Sequence, residues 1–74
     1  MKEFDFEKMP IVEIANEIIM DAVKKNASDI HFDPTRDAIK IRIRIDGILS
    51  DYSMIPGQYK RNLISRIKMM AQMN

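Results

Sequence analysis

The sequence predicts an α+β domain of order α-β-β-β-α, a three-stranded antiparallel sheet with both helices on one of its faces. Three observations carry this. Ile39, Ile41, Ile43 and Ile45 alternate with Lys40, Arg42, Arg44 and Asp46, the period of two of a strand with one apolar and one charged face. Asp46-Gly47 follows at once, and both residues tolerate the positive φ of a two-residue type I′ hairpin. The stretches on either side of the ribbon place apolar residues every third or fourth position, the period of an amphipathic helix.

Taken in order, residues 1–9 are charged and lack a period, and read as a lead-in whose Phe4 and Phe6 can pack back on a domain formed by residues 10–74. Pro10 to Lys25 reads as the first helix, with proline at the first helical position, where its missing N–H costs nothing. Ile11, Ile14, Ala15, Ile18 and Ala22 form the core stripe, and Val12, Ile19 and Val23 widen it. Such a wide stripe suits a membrane surface or a partner helix as well as the domain's own core, and the adjacent sheet favours the core. Lys24 and Lys25 complement the helix dipole, and Asn26 suits a left-handed cap.

Asp29 to Asp33 is the first strand, with Ile30 and Phe32 on one face and Asp29, His31 and Asp33 on the other; Pro34 ends it in turn chemistry through Asp37. Ala38 to Asp46 is the second strand and Ile48 to about Ile55 the third, with Ile48, Tyr52 and Met54 expected on the core face. A type I′ turn fixes their register as Ile45–Ile48, Arg44–Leu49, Ile43–Ser50, Arg42–Asp51 and Ile41–Tyr52. Pro56-Gly57 breaks the strand. Gln58 to about Met73 reads as the last helix, with Leu63, Ile64, Ile67, Met70 and Ala71 toward the core. A second strip of Asn62, Arg66, Met69 and Met73 suggests another surface to cover. Asn74 arrives with no glycine cap, which points to a piece of a longer chain.

Composition narrows the function classes. The chain has no cysteine and a single histidine, so neither disulfides nor a structural zinc site is expected. No apolar run approaches the length of a membrane span, and the N-terminus has no signal-peptide pattern, so a soluble, reducing compartment is the default. Twelve Lys and Arg against eleven Asp and Glu leave a net charge of +1, too balanced to mark a nucleic-acid or anionic-membrane binder. The only glycines are Gly47 and Gly57, so a GxxxxGK phosphate loop cannot be built.

What remains is the polar sheet face, which gathers Asp29, His31, Asp33, Lys40, Arg42, Arg44, Asp46 and Asp51. A histidine beside carboxylates is the pattern of a general base, but on a charged strand it is far more often salt-bridged. Arg42 and Arg44 project to one side, where they can clamp carboxylates or phosphate, or pair with Asp29, Asp33 and Asp51. In the hairpin only Asp51 opposes an arginine directly, which leaves spare donors for a partner. His31, Arg42, Arg44 and Arg66 are therefore the candidate residues of an interdomain interface.

Three runs carry a family resemblance: PIVEIANEIIMDAVKKNASDIHFDP, IRIRIDGIL and SRIKMMAQMN. They are similar to the type II secretion and type IV pilus assembly ATPases, which include the competence-type DNA-uptake motors. That family carries PIV-x-x-x-N-x-I-x-x-A, ASDIH-x-EP, R-x-R-x-DG and SRIK-x-(M/L)A-x-MD patterns. The matching positions are Pro10, Ile11, Val12, Asn16, Ile19, Ala22, Ala27 to His31, Pro34, Arg42, Arg44, Asp46, Gly47, Ser65 to Lys68, Ala71 and Met73. Asp33 stands for the usual Glu and Asn74 for the usual Asp.

The resemblance spans Pro10 to Asn74 and implies the start of a PAS-like N-terminal domain that precedes a RecA-like motor. It further implies a cytoplasmic homo-hexamer at the inner face of the cytoplasmic membrane, docked on a secretion or pilus platform. ATP and Mg would belong to the parent protein; no cofactor, catalytic residue, metal ligand or direct nucleic-acid contact is expected in this chain. The expected role is an accessory domain that transmits ATP-driven motion between the motor domain, of the same or a neighbouring subunit, and its surroundings. Double-stranded-RNA-binding modules share the αβββα order and are the alternative, weakened by the small net charge. A ligand-holding PAS-like sensor is a third possibility, for which the chain looks too short.

Overall fold

Five elements and a short 3-10 turn make up the computed structural model, which describes residues 1–72. They are α1 (Ile11–Lys24), β1 (Asp29–Pro34), β2 (Ala38–Ile45), β3 (Ile48–Pro56), the 3-10 turn Gly57–Tyr59 and α2 (Lys60–Ala71). The sheet is antiparallel with order β1-β2-β3, so the isoleucine strand is central. Ile14, Ala15, Ile18 and Ala22 of α1, Leu63 of α2, Ile39, Ile41 and Ile43 of β2, and Tyr52 and Ile55 of β3 form one buried cluster.

Pro10 is the N-cap of α1 and not its first helical residue. Its ψ of 151° is extended, and its carbonyl accepts the Ile14 N–H at 3.1 Å. At the other end Asn26 adopts φ 57°, the Ala27 N–H reaches the Ala22 carbonyl at 2.9 Å, and the Asn26 N–H reaches Val23 at 3.1 Å. These two bonds are a Schellman closure, and they satisfy carbonyls the helix leaves open. α2 starts at Lys60, two residues later than its periodicity suggests, because Gly57–Tyr59 is wound as a 3-10 turn. Only Leu63 of its expected core stripe is fully buried; Ile64, Ile67 and Met70 are half-buried and Ala71 is exposed. The expectation for Met73 lies outside the described residues.

Asp46 and Gly47 have φ 50° and 81°, as a type I′ turn requires at both central positions. The register from Ile45–Ile48 to Arg42–Asp51 follows from that turn, but Ile41 pairs with Ser53 and not with Tyr52. Tyr52 is the extra residue of a β-bulge, which shifts the phase of the strand. Tyr52 and Ser53 are therefore both buried and Ile55 points inward, while Met54 is 46% exposed and Ile48, beside the turn, is 67% exposed. The expected inward set of Ile48, Tyr52 and Met54 thus keeps only Tyr52.

The lead-in is tied down at this bulge. Lys2 forms a parallel bridge with Ser53: its N–H donates to the Tyr52 carbonyl, and the Ser53 hydroxyl donates to the Lys2 carbonyl, both at 2.7 Å. Phe4 and Phe6 pack against the core, and Phe6 stacks on Tyr59 with ring centroids 4.4 Å apart. The Tyr52 hydroxyl donates to Asp21 Oδ2 of α1 at 2.5 Å, and Lys2 Nζ lies 3.3 Å from both Asp21 and Glu17.

This network makes stability depend on pH at both ends. The Tyr52 hydrogen bond, reinforced by Lys2 and Lys25 against the effect of burial, holds the Asp21 carboxyl below its ordinary 3.8. That contribution is complete above 3.8 and is lost as pH falls through the lowered value. Burial, and then Asp21, push the Tyr52 phenol well above its ordinary 10.0, so its contribution is complete below 10.0 and fades as pH rises further. Lys2, raised mainly by its hydrogen bond to Glu17, adds to the alkaline loss. Tyr52→Phe is expected to cost about 1.5 kcal/mol, the low end for a hydrogen bond to a charged group, since Asp21 keeps Lys2. Urea midpoints against pH should show a shallower alkaline limb in the variant; an unchanged limb would contradict this role of Tyr52.

Candidate functional site

The face of the sheet away from the helices carries a ladder of charge. Period-two alternation puts Asp29, His31 and Asp33 of β1 beside Lys40, Arg42 and Arg44 of β2. The β1–β2 pairing sets Asp29 opposite Arg44, His31 opposite Arg42 and Asp33 opposite Lys40. Asp51 of β3 stands opposite Arg42 from the other side.

The ion pairs do not all follow the rungs. Arg42 Nε and Nη2 both donate to Asp33 Oδ2, at 3.1 and 2.6 Å, diagonally across β1. Asp51 instead meets Lys40 Nζ at 3.3 Å, so the expected Arg42–Asp51 pairing holds in register but not as an ion pair. Arg44 Nε donates to Asp29 Oδ1 at 3.2 Å and Nη1 to the Gly47 carbonyl at 3.4 Å. His31 Nε2 donates to Asp29 Oδ2 at 2.5 Å. The Asp29 carboxyl lies below its ordinary 3.8 because Ser28 and then His31 hydrogen-bond to it, with Arg44 adding its charge.

The expectation that Asp51 alone directly opposes an arginine is therefore corrected: Asp29 opposes Arg44. The hairpin register counts only β3, and β1 supplies two further carboxylates. Each arginine is engaged at home, yet among the described residues Arg42 Nη1 and Arg44 Nη2 have no hydrogen-bond partner. The result is a pair of guanidiniums held in place on a half-exposed face. Partly exposed pairs of this kind contribute about 0–1 kcal/mol each, so they orient the side chains more than they stabilise the fold.

His31, Arg42 and Arg44 thus share one surface, while Arg66 stands apart on α2. Asp29 and Asp33 are integral to the ladder; their signal is the spacing that also places His31 outward. Among the described residues no group of three or more His, Cys, Asp or Glu is placed to hold a metal ion. No helix among them is long and apolar enough to cross a membrane.

The family described as type II/IV secretion system protein matches residues 5–74. A type IV pilus assembly ATPase of Myxococcus xanthus is 40% identical over 65 residues, 88% of this chain and 12% of that protein. One from Acinetobacter baylyi is 38% identical over 68 residues, 92% of this chain and 12% of its own length. The type II secretion system protein E of Xanthomonas campestris is 40% identical over 65 residues, with the shares again 88% and 12%. The chain therefore spans about an eighth of the length of these curated relatives.

Proposed function

The chain belongs to the type II/IV secretion system protein family, and from that premise we propose that it is an accessory domain of a secretion or pilus-assembly ATPase. It couples ATP-driven motion of a RecA-like motor domain to neighbouring domains of a homo-hexamer, in the cytoplasm beneath the secretion or pilus platform. The observation that carries the coupling role is the ladder of oriented charge on the sheet face that neither helix covers. Arg42 and Arg44, each pinned by a β1 carboxylate, have N–H groups left to receive a carboxylate or carbonyl from the motor domain of the same or a neighbouring subunit.

Nucleotide chemistry falls to the rest of the protein. A Walker-type site for ATP and Mg needs a phosphate loop, and the two glycines here do not fit one: Gly47 sits in the hairpin turn, and Gly57 lies against Asp37. The element order is shared with duplex-RNA-binding modules. Against that alternative, Lys60, one of two cations opening α2, is held by the Thr35 carbonyl at 2.8 Å, and the relatives are named for secretion and pili.

Phosphate release tests the division of labour. The purified chain is expected to release none above a buffer blank, whereas the longer protein containing it hydrolyses ATP. Release that follows the purified 74-residue chain through chromatography would overturn the reading.

A further inference from the structure

Two patches of opposite charge lie outside the ladder. The first is a groove along α2 of about 470 Å³, lined by Gly57, Lys60, Arg61, Ile64, Ser65 and Lys68. The last five recur every three or four positions and so form one stripe of the helix. The lining holds three cations and no carboxylate. Lys60 is anchored beside the end of β1 by its bond to the Thr35 carbonyl. Arg61 and Lys68 are exposed, with half-buried Ile64 between them, and neither joins an ion pair among the described residues. They stand two turns apart, about 10 Å along the axis. One carboxylate cannot bridge that distance, so the groove suits several negative charges spaced along a chain.

The second patch is the lead-in. Phe4 and Phe6 pack against the core, which leaves Glu3, Asp5 and Glu7 exposed at two-residue spacing. Asp5 Oδ1 accepts the Glu7 and Lys8 N–H groups at 3.1 and 3.3 Å and fixes the turn that presents them. None of the three joins an ion pair among the described residues. Lys2 is turned to Glu17 and Asp21 of α1, which leaves only Lys8 against them in the segment. The two patches do not meet within one chain. The lead-in is bridged to β3 at one edge of the sheet, whereas Lys60 is held beside the end of β1, the other edge strand. No lead-in residue lines the groove.

A molecule with complementary charge on two separate surfaces joins copies of itself head to tail, and such a contact makes a ring when its rotation closes. We propose that in the assembled longer protein the groove on α2 of one copy receives the lead-in of the next, with Glu3, Asp5 and Glu7 meeting Lys60, Arg61 and Lys68. The inference rests on the homo-hexamer reading and names a contact within it. Exposed pairs of this kind set partner orientation and encounter rate more than affinity, so the contact aligns neighbouring domains and does not hold the ring by itself. An anionic bilayer fits less well, because Ile64 is half-buried in the groove and does not project to enter lipid.

The test is carbodiimide cross-linking of the longer protein assembled from equal parts of ordinary and isotopically heavy subunits. The reagent joins a lysine amine to a carboxylate in contact with it. Mixed light–heavy peptides are expected to link Lys60 or Lys68 to Glu3, Asp5 or Glu7. Arg61→Gln leaves both amines in place and should lower their yield about fivefold, the upper end for one exposed ion pair. Arg61→Lys should keep it. The contact is wrong if these lysines link only within one subunit, or only to carboxylates outside residues 1–74, or if Arg61→Gln leaves the mixed yield unchanged. Sedimentation of the same preparation separates the two readings: a hexamer without mixed peptides overturns the contact alone, and a monomer overturns both.

Discussion

Replacing Ile41 with alanine is expected to leave much of the chain unfolded at room temperature. Ile41 is fully buried in the middle of the central strand, paired with Phe32 on one side and Ser53 on the other. The helices, β1 and β3 all depend on the surface it helps to form. Alanine there removes the transfer energy of the lost methyl groups and leaves a cavity that a sheet clamped on both sides closes poorly. The cost is about 2–5 kcal/mol. A domain this small has a net stability of only about 3–5 kcal/mol from a single core. Urea denaturation followed by circular dichroism should show a lost or sharply lowered folding transition. A midpoint close to wild type would mean that the isoleucine face is not the core.

Gly57→Ala is expected to have the next largest effect, although the change adds one methyl group. A Cβ on Gly57 would lie 2.8 Å from the Asp37 carbonyl oxygen and 3.1 Å from its carbon. Both are backbone atoms and cannot swing aside. The Gly57 N–H also donates to that same oxygen at 2.8 Å, so relief of the clash stretches or breaks a hydrogen bond. The corner they form is where β3 hands over to α2, and its displacement would shift Leu63 out of the core. Overpacking of this kind costs about 1–3 kcal/mol. Each kcal/mol corresponds to roughly 4–8 °C of melting temperature at this size. An unchanged melting temperature would show that the corner yields freely. Gly47 differs in kind: nothing lies within 4 Å of its would-be Cβ, and its requirement is the positive φ of 81° alone.

The parts of this structure that were legible in the sequence are the local ones. Alternating isoleucines, Asp46-Gly47 and Asn26 each fix geometry within a few residues, and the hairpin register follows outward from its turn. The bulge at Tyr52 carries no such mark, because the extra residue is stabilised from outside β3, by Asp21 and Lys2. The arginine partners were half legible for the same reason. The turn fixes what faces Arg42 across β3, whereas Asp29 and Asp33 arrive through pairing with a strand on the other side. The wide stripe on α1 misled in its width: a helix lying on a sheet buries one arc, and Val12 and Val23 fall outside it. The unmet Nε of Arg66 has no mark in the sequence either, and is visible only once the side chain is packed.

The coupling role is tested most directly by ATP turnover and assembly of the longer protein carrying Arg42→Gln and Arg44→Gln together. Glutamine is the informative replacement, because glutamate would be repelled by Asp33 and Asp29, which already touch these positions. In the isolated domain the loss should stay near the 0–1 kcal/mol typical of each partly exposed ion pair, so the fold is retained. In the longer protein the account predicts weaker hexamer assembly or slower ATP hydrolysis. Wild-type assembly and turnover in the double variant would contradict it, and would leave the ladder as a solvated surface that orders only itself.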